Sequence, residues 1–304
     1  MTISKLGVVW NPSKVDEEAL RAAVTAVFPH GAEWWETTVD DPGRGSAQSA
    51  VDAGCDVVVA VGGDGTVRAV AEVLAGTDVA LGIVPQGTGN LLARNLGVPL
   101  DDLVGALEHV RDAEPRRIDI GWVEFDGEKR AFTVMVGFGV DAQMLVETDS
   151  DLKDRAGWLA YVEAMGRALA GTEMTDIALT LDDDEEQEVR GHTMIVGNCG
   201  MLQGGIRLLP DAVLDDGQLD LLLVSADGAL QWLDTVRSVV WDNGIRRMLG
   251  GATEAVSTES TRHVAAQRIA VRLAAPQQFE VDGEEIGEVS AFTASVQPGA
   301  LTVR

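Results

Sequence analysis

Two glycine-rich turns carry the residues whose types and spacing could do chemistry. Gly62-Gly63-Asp64-Gly65-Thr66 follows an apolar run at 57–61, and Gly87-Thr88-Gly89-Asn90 follows another at 79–84. Glycine lets the backbone take angles that other residues resist and lets it approach a ligand closely. Asp64 is out of place in such a turn: a carboxylate repels phosphate unless a metal sits between the two.

The elements around these turns set where they face. Leu6-Gly7-Val8-Val9-Trp10 reads as a strand closed by Asn11-Pro12, residues 16–28 have helical spacing, and 57–61 is a β-branched run suited to a parallel strand covered on both faces. Residues 67–74 read as a helix, 79–84 as a strand, and 91–96 as the start of another helix. Strand and helix in alternation predict a parallel sheet with helices on both faces, with ligands at the carboxyl ends of the strands. Both glycine turns fall there.

Past Pro115 the pattern changes to strands at 118–123, 131–136, 177–181, 189–196, 219–224, 268–273 and 279–281, with a turn at Asp126-Gly127. This predicts a second, mainly antiparallel β-sandwich. The acidic run Asp182-Asp183-Asp184-Glu185-Glu186 reads as a solvated hairpin tip. Helical stripes at 155–170 and 229–249 read as core faces, or as walls of an acyl-chain pocket. The expected division is 1–116 for an α/β nucleotide unit, 117–288 for the sandwich, and 289–304 for a tail whose residues 292–303 return to the first unit. Two sheets that do not run into one another are expected, with the nucleotide in the cleft between them.

The chain has 304 residues, 46% hydrophobic residues and a formal net charge of -26, enough for two cores and too acidic for nucleic acid. Cys55 and Cys199 form no disulfide framework and read as buried thiols. No stretch approaches the roughly 20 apolar residues of a membrane span. A cytoplasmic protein is expected.

The two glycine turns together resemble the diacylglycerol kinase catalytic-domain family, which includes soluble bacterial lipid kinases and relatives of the sphingosine kinases. Asn11-Pro12 matches that family's first nucleotide loop. Asn198, Gly204-Gly205 and Pro210-Asp211-Ala212-Val213-Leu214-Asp215-Asp216-Gly217 look like its second-domain signature, and Asp282-Gly283-Glu284 like its late acidic motif. The resemblance implies ATP and Mg²⁺ as cofactors and transfer of the γ-phosphoryl group to a lipid hydroxyl, diacylglycerol foremost. It implies contact with a membrane surface during turnover, and it leaves a homodimer open. No GxxxxGK[ST] motif is present, so backbone N–H groups of Gly62, Gly63, Gly65, Gly87 and Gly89, with the helix N-termini behind them, would hold the phosphates. Asn11, Thr66, Thr88 and Asn90 join them as nucleotide-site residues, with Lys14 and Arg94 as candidate counter-charges. Asp64 would take part in catalysis through Mg²⁺. By the same resemblance Glu284 is the base for the acceptor hydroxyl, with Asp282 beside it. Asp215, Asp216 and Leu219 correspond to a structural metal site.

The sequence departs from the family where Leu91 follows Asn90 in place of an acidic residue, and where Ser13-Lys14 follow Asn11-Pro12. The competing readings are an NAD kinase, a nucleotide-binding regulator without catalysis, and a kinase for a sphingoid base or another lipid alcohol.

Overall fold

The computed structural model describes residues 3–139, 174–202, 208–225 and 261–304. The helices expected at 155–170 and 229–249, and Gly204-Gly205, lie outside the described residues.

The amino-terminal half alternates as its sequence predicts. Strands β1 (Leu6–Trp10), β2 (Glu33–Glu36), β3 (Val57–Gly62) and β4 (Ala80–Pro85) are parallel in the order β2-β1-β3-β4. Helices α1 (Glu17–Val27), α2 (Arg44–Asp52), α3 (Asp64–Leu74), α4 (Leu91–Leu96) and α5 (Leu103–Asp112) complete this half. Every residue of β1, β3 and β4 is buried, which accounts for their unbroken apolar composition. Asp16 begins α1 by accepting from the Ala19 N–H, and Asp102 begins α5 by accepting from Gly105. The elements β2, α2 and α5 carried no reading in the sequence.

The rest is antiparallel except for the end of β14: β5 (Arg116–Phe125), β6 (Glu128–Phe132), β7 (Met135–Phe138), β8 (Thr175–Leu181), β9 (Gln187–Gly191), β10 (Thr193–Gly197), β11 (Leu219–Val224), β12 (Thr261–Ala266), β13 (Arg268–Val281) and β14 (Glu284–Val303). Asp126 and Gly127, with φ of 49° and 82°, make the two-residue turn between β5 and β6. The acidic run 182–186 is the tip of the β8–β9 hairpin. Two strand readings divide. Residues 131–136 break at Thr133-Val134, whose N–H groups turn to Asp282. Residues 189–196 break at His192, where the partly exposed β9 gives way to fully buried β10, paired with β7 and β11.

The separation of two sheets gives way at β14. One hydrogen-bonded path runs β12-β11-β10-β7-β13-β14-β4-β3-β1-β2, because the twenty residues of β14 serve both halves. Its start pairs with β13, much of its length with β5, and Thr302 and Val303 pair in parallel with Ala80 and Leu81. The apolar core nonetheless forms two clusters. One fills the layers around the parallel strands, with Val8, Val59, Leu81 and Leu107. The other is aromatic, with Phe279 against Phe292 and Phe125 at centroid separations of 4.7 and 5.8 Å.

Asp119 ties β5 to two distant turns. It is 2% exposed and accepts from Gly217 N at 2.6 Å and Gly299 N at 2.7 Å. Asp119→Ala orphans both amides, and hydrogen bonds to a charged acceptor contribute about 1.5–3 kcal/mol each before desolvation relief. Urea unfolding is expected to show a loss of about 2–4 kcal/mol; an unchanged midpoint would contradict this role.

Candidate active site

The first glycine turn is largely a helix start. α3 begins at Asp64, one turn before the expected 67, with extended Gly63 as its N-cap. The N–H groups of Asp64, Gly65 and Thr66 are therefore among the unpaired donors at the positive end of the helix dipole. Across the sheet edge, Asn90 takes a left-handed conformation with φ of 49° and leads into α4. Its amide closes on Gly87: Oδ1 accepts from Gly87 N at 2.9 Å and Nδ2 donates to Gly87 O at 2.8 Å. Arg94 Nε donates to Gly89 O at 2.6 Å, locking the same turn.

Asp64 joins the two turns. Its Oδ2 accepts from Asn90 N at 2.7 Å and its Oδ1 from Leu91 N at 2.6 Å. Burial pushes the Asp64 carboxyl up, the Leu91 and Asn90 amides pull it down, and the charge of Asp282 adds to the rise. The glycines are explained in part by this approach. A Cβ on Gly87 would lie 2.7 Å from Gly63 Cα, and one on Gly89 would lie 2.8 Å from Asp64 Oδ2. Gly65 differs, because a Cβ there would meet nothing within 4 Å.

The Asp282-Gly283-Glu284 motif is a tight hairpin turn. Asp282 and Gly283 have φ of 49° and 79°, and Glu284 opens β14 opposite Val281. Asp282 is 7% exposed and accepts from Thr133 N, Thr133 Oγ1, Val134 N and Met135 N at 2.8–3.0 Å. Burial pushes its carboxyl up, while Arg68 and these amides pull it down. Its oxygens are spent on the 133–135 segment, so the geometry makes Asp282 a clamp for the turn. Glu284 is half-exposed; its Oε2 accepts from Arg68 Nη2, and its Oε1 lies 3.8 Å from Arg130 Nη1.

Other sequence candidates fall around this centre or away from it. Asn11 Oδ1 accepts from Ser13 N and Oγ, folding the turn after β1, whose Asn11 N–H donates to Val61 O beside the first glycine turn. Lys14 is exposed and, among the described residues, makes no hydrogen bond to the glycine turns. Thr66 is buried under Gly62, and Thr88 lies in the second turn. Asp215 and Asp216 are exposed at the turn before β11, where Asp216 Oδ1 accepts from Gln218 N, and Leu219 is buried. Burial and the charges of Asp216 and Asp211 push the Asp220 carboxyl up to about 7. No group of three His, Cys, Asp or Glu among the described residues could hold a metal. A cation at that turn would depend on backbone carbonyls, and one at Asp64 on the phosphates of a bound nucleotide. Both cysteines are free and buried.

Residues 5–123 match the family described as the diacylglycerol kinase catalytic domain, and residues 133–304 match the YegS C-terminal NAD kinase beta sandwich-like domain. The chain belongs to the diacylglycerol kinase catalytic-domain family. This makes it an enzyme of the lipid-kinase class. It is 32% identical over 235 residues to "Probable lipid kinase YegS-like" of Stenotrophomonas maltophilia, covering 74% of each chain. It is 32% identical over 241 residues to the diacylglycerol kinase of Mycobacterium tuberculosis, covering 76% of each. The fold matches the crystal structure of a diacylglycerol kinase from Bacillus anthracis with a TM-score of 0.70 at 20% identity, over 100% of this chain and 97% of that one. No helix among the described residues is long and apolar enough to cross a membrane.

Family motifs pointed to the glycine turns and the late acidic turn but not to what joins them. Arg68 and Glu72 follow Asp64 at spacings of four, so all three share one side of α3. That spacing was the available signal. Asn95 also went unread; its amide Nδ2 donates to Met201 O and its Oδ1 accepts from Met201 N. The glycine geometry predicts opposite outcomes for two similar changes. Gly87→Ala drives the turns apart and is expected to cost about 1–3 kcal/mol. Gly65→Ala fills open space at a helical position and is expected to stabilise by about 0.5–1 kcal/mol. Thermal unfolding of the unliganded variants checks both signs, and equal shifts would contradict the packing argument.

Proposed function

We propose that this lipid kinase transfers the γ-phosphoryl group of ATP to the hydroxyl of diacylglycerol. In this reading residues 1–116 hold the nucleotide, 117–288 take the lipid, and 289–304 close back on the first unit. The observation that carries it is α3, whose first turn has no side-chain cap and has open space at Gly65, and which meets Glu284 through Arg68. Amides of Gly63, Gly65 and Thr66, with Thr88, Asn90 and the Asn11 turn, would receive the phosphates; Arg94 keeps the second turn closed. Lys14 is within the first loop and would add positive charge from solvent. When bound, Mg²⁺ would neutralise charge between Asp64 and the phosphate oxygens, the role a desolvated carboxylate beside an anion calls for.

The chemical step needs one base and good positioning. Glu284 takes the proton of the lipid hydroxyl as its oxygen forms a bond to the γ-phosphorus. The bond from that phosphorus to the bridging oxygen breaks, and ADP leaves with the electron pair. Asp282 keeps the turn in place. The acceptor lies in a bilayer, so the enzyme works at a membrane surface from the cytoplasmic side.

The same reading would put a structural cation at Asp215, Asp216 and the Leu219 backbone, at the turn before β11 where both aspartates are exposed. Mg²⁺ is then expected to raise the melting temperature of the wild type and not of Asp216→Asn; equal response would remove that site.

Glu284→Gln keeps size and hydrogen bonding but loses basicity, and is expected to lower kcat about a hundredfold or more. Its affinity for Mg-ATP, measured by calorimetry, should stay near wild type, whereas Gly65→Ala should lower that affinity about tenfold or more by crowding the phosphates. Full turnover in Glu284→Gln would refute the base, and unchanged nucleotide affinity in Gly65→Ala would refute the cradle.

A further inference from the structure

We propose that Arg68 is the positioning residue of Glu284, so that one helix sets both the nucleotide turns and the base. This rests on Glu284 being that base. Arg68 is 3% exposed, and its Nη2 donates to Glu284 Oε2. Among the described residues, its Nε and Nη1 have no hydrogen-bond partner. Burying a guanidinium costs several kcal/mol unless it is paired. Two other carboxylates lie within its electrostatic reach, Asp282 and Glu72. Asp282 is already satisfied by the 133–135 segment, and Glu72 takes a two-pronged pair from Arg44 at 2.8 Å. The guanidinium is thus directed to the one carboxylate that lacks a backbone clamp.

Glu284 needs such a restraint. Its side chain is 52% exposed, and its other cation, Arg130, stands at 3.8 Å while also pairing with Glu128 at 2.9 Å. A half-exposed glutamate left alone samples several rotamers, and a base displaced by about 1 Å can lose about a hundredfold in rate. Arg68 stands four residues after Asp64, so about 6 Å of rigid helix separates the anchor of the second turn from the anchor of the base. The arrangement was not marked by any sequence motif; it arises because Arg68 points inward from a helix whose adjacent residues, Val67, Ala69, Val70 and Ala71, are buried.

The test is a cycle of Arg68→Gln, Arg68→Lys and Glu284→Gln, alone and combined, assayed for kcat and KM with Mg-ATP and diacylglycerol vesicles. Arg68→Gln is expected to lower kcat tenfold to a hundredfold, at unchanged KM for ATP. Arg68→Lys keeps a donor without the planar fork and should recover most of that loss. In the Glu284→Gln background neither change should slow the enzyme further, because the residue being positioned has lost its function. Multiplying losses, or Arg68→Lys as slow as Arg68→Gln, would overturn the proposal. If Arg68→Gln fails to fold, the lysine arm stands alone: a loss that persists unchanged in the Glu284→Gln background overturns it, and a loss that vanishes supports it. Glu284→Gln at wild-type rate would refute the base itself. Near-normal turnover in Arg68→Gln with a slow Glu284→Gln refutes only the positioning.

Discussion

Everything in the candidate site depends on one polar row along α3. Asp64, Arg68 and Glu72 leave the helix on one side and grip four separate pieces of chain: the second glycine turn, the Glu284 turn, Arg44 of α2 and the Ala131 amide of β6. Burial would push the Glu72 carboxyl up, yet Arg44 holds it below its ordinary range. On the same helix Val67, Val70, Ala71 and Leu74 are packed into the larger apolar cluster. Core packing therefore fixes where these charges stand, and an error in that packing would reach all these contacts together.

The strongly acidic composition has a structural use inside the fold. Asp64, Asp119 and Asp282 each accept backbone N–H groups from segments far away in sequence. A short carboxylate offers several acceptor positions with little rotamer freedom, so it can hold a turn whose amides have no strand partner. These clamps join the ends of the glycine turns, the 217 and 299 turns, and the break between β6 and β7. β14 supplies the continuous backbone between them, running from Glu284 at the site to Val303 beside β4.

The alternating half of the fold was legible because its strands are buried on both faces and its helices carry periodic apolar residues. Short β2, with sequence Glu-Trp-Trp-Glu, was not, because its residues are only partly covered and lack an apolar run. The break at Thr133-Val134 was hidden for another reason: its cause, Asp282, is nearly 150 residues away. Beyond any ligand contact, Gly87 and Gly89 let the two turns and Asp64 meet, a use of glycine that nothing in the local sequence marks. Gly65 differs in having open space where a Cβ would stand. The motif residues Asp64 and Glu284 stood out by type and place, but the arginine between them resembled any other residue on an amphipathic helix.

Every role proposed for Asp64, Glu284 and the glycine turns serves phosphoryl transfer to a lipid alcohol. Its most direct test is incubation of the purified chain with γ-labelled ATP and Mg²⁺ over vesicles containing diacylglycerol, with a sphingoid base and NAD in parallel reactions. The expected result is label in an organic-soluble phosphomonoester formed from diacylglycerol, lost when Mg²⁺ is chelated. Label appearing in NAD, or in none of the acceptors while ATP still binds, would contradict it.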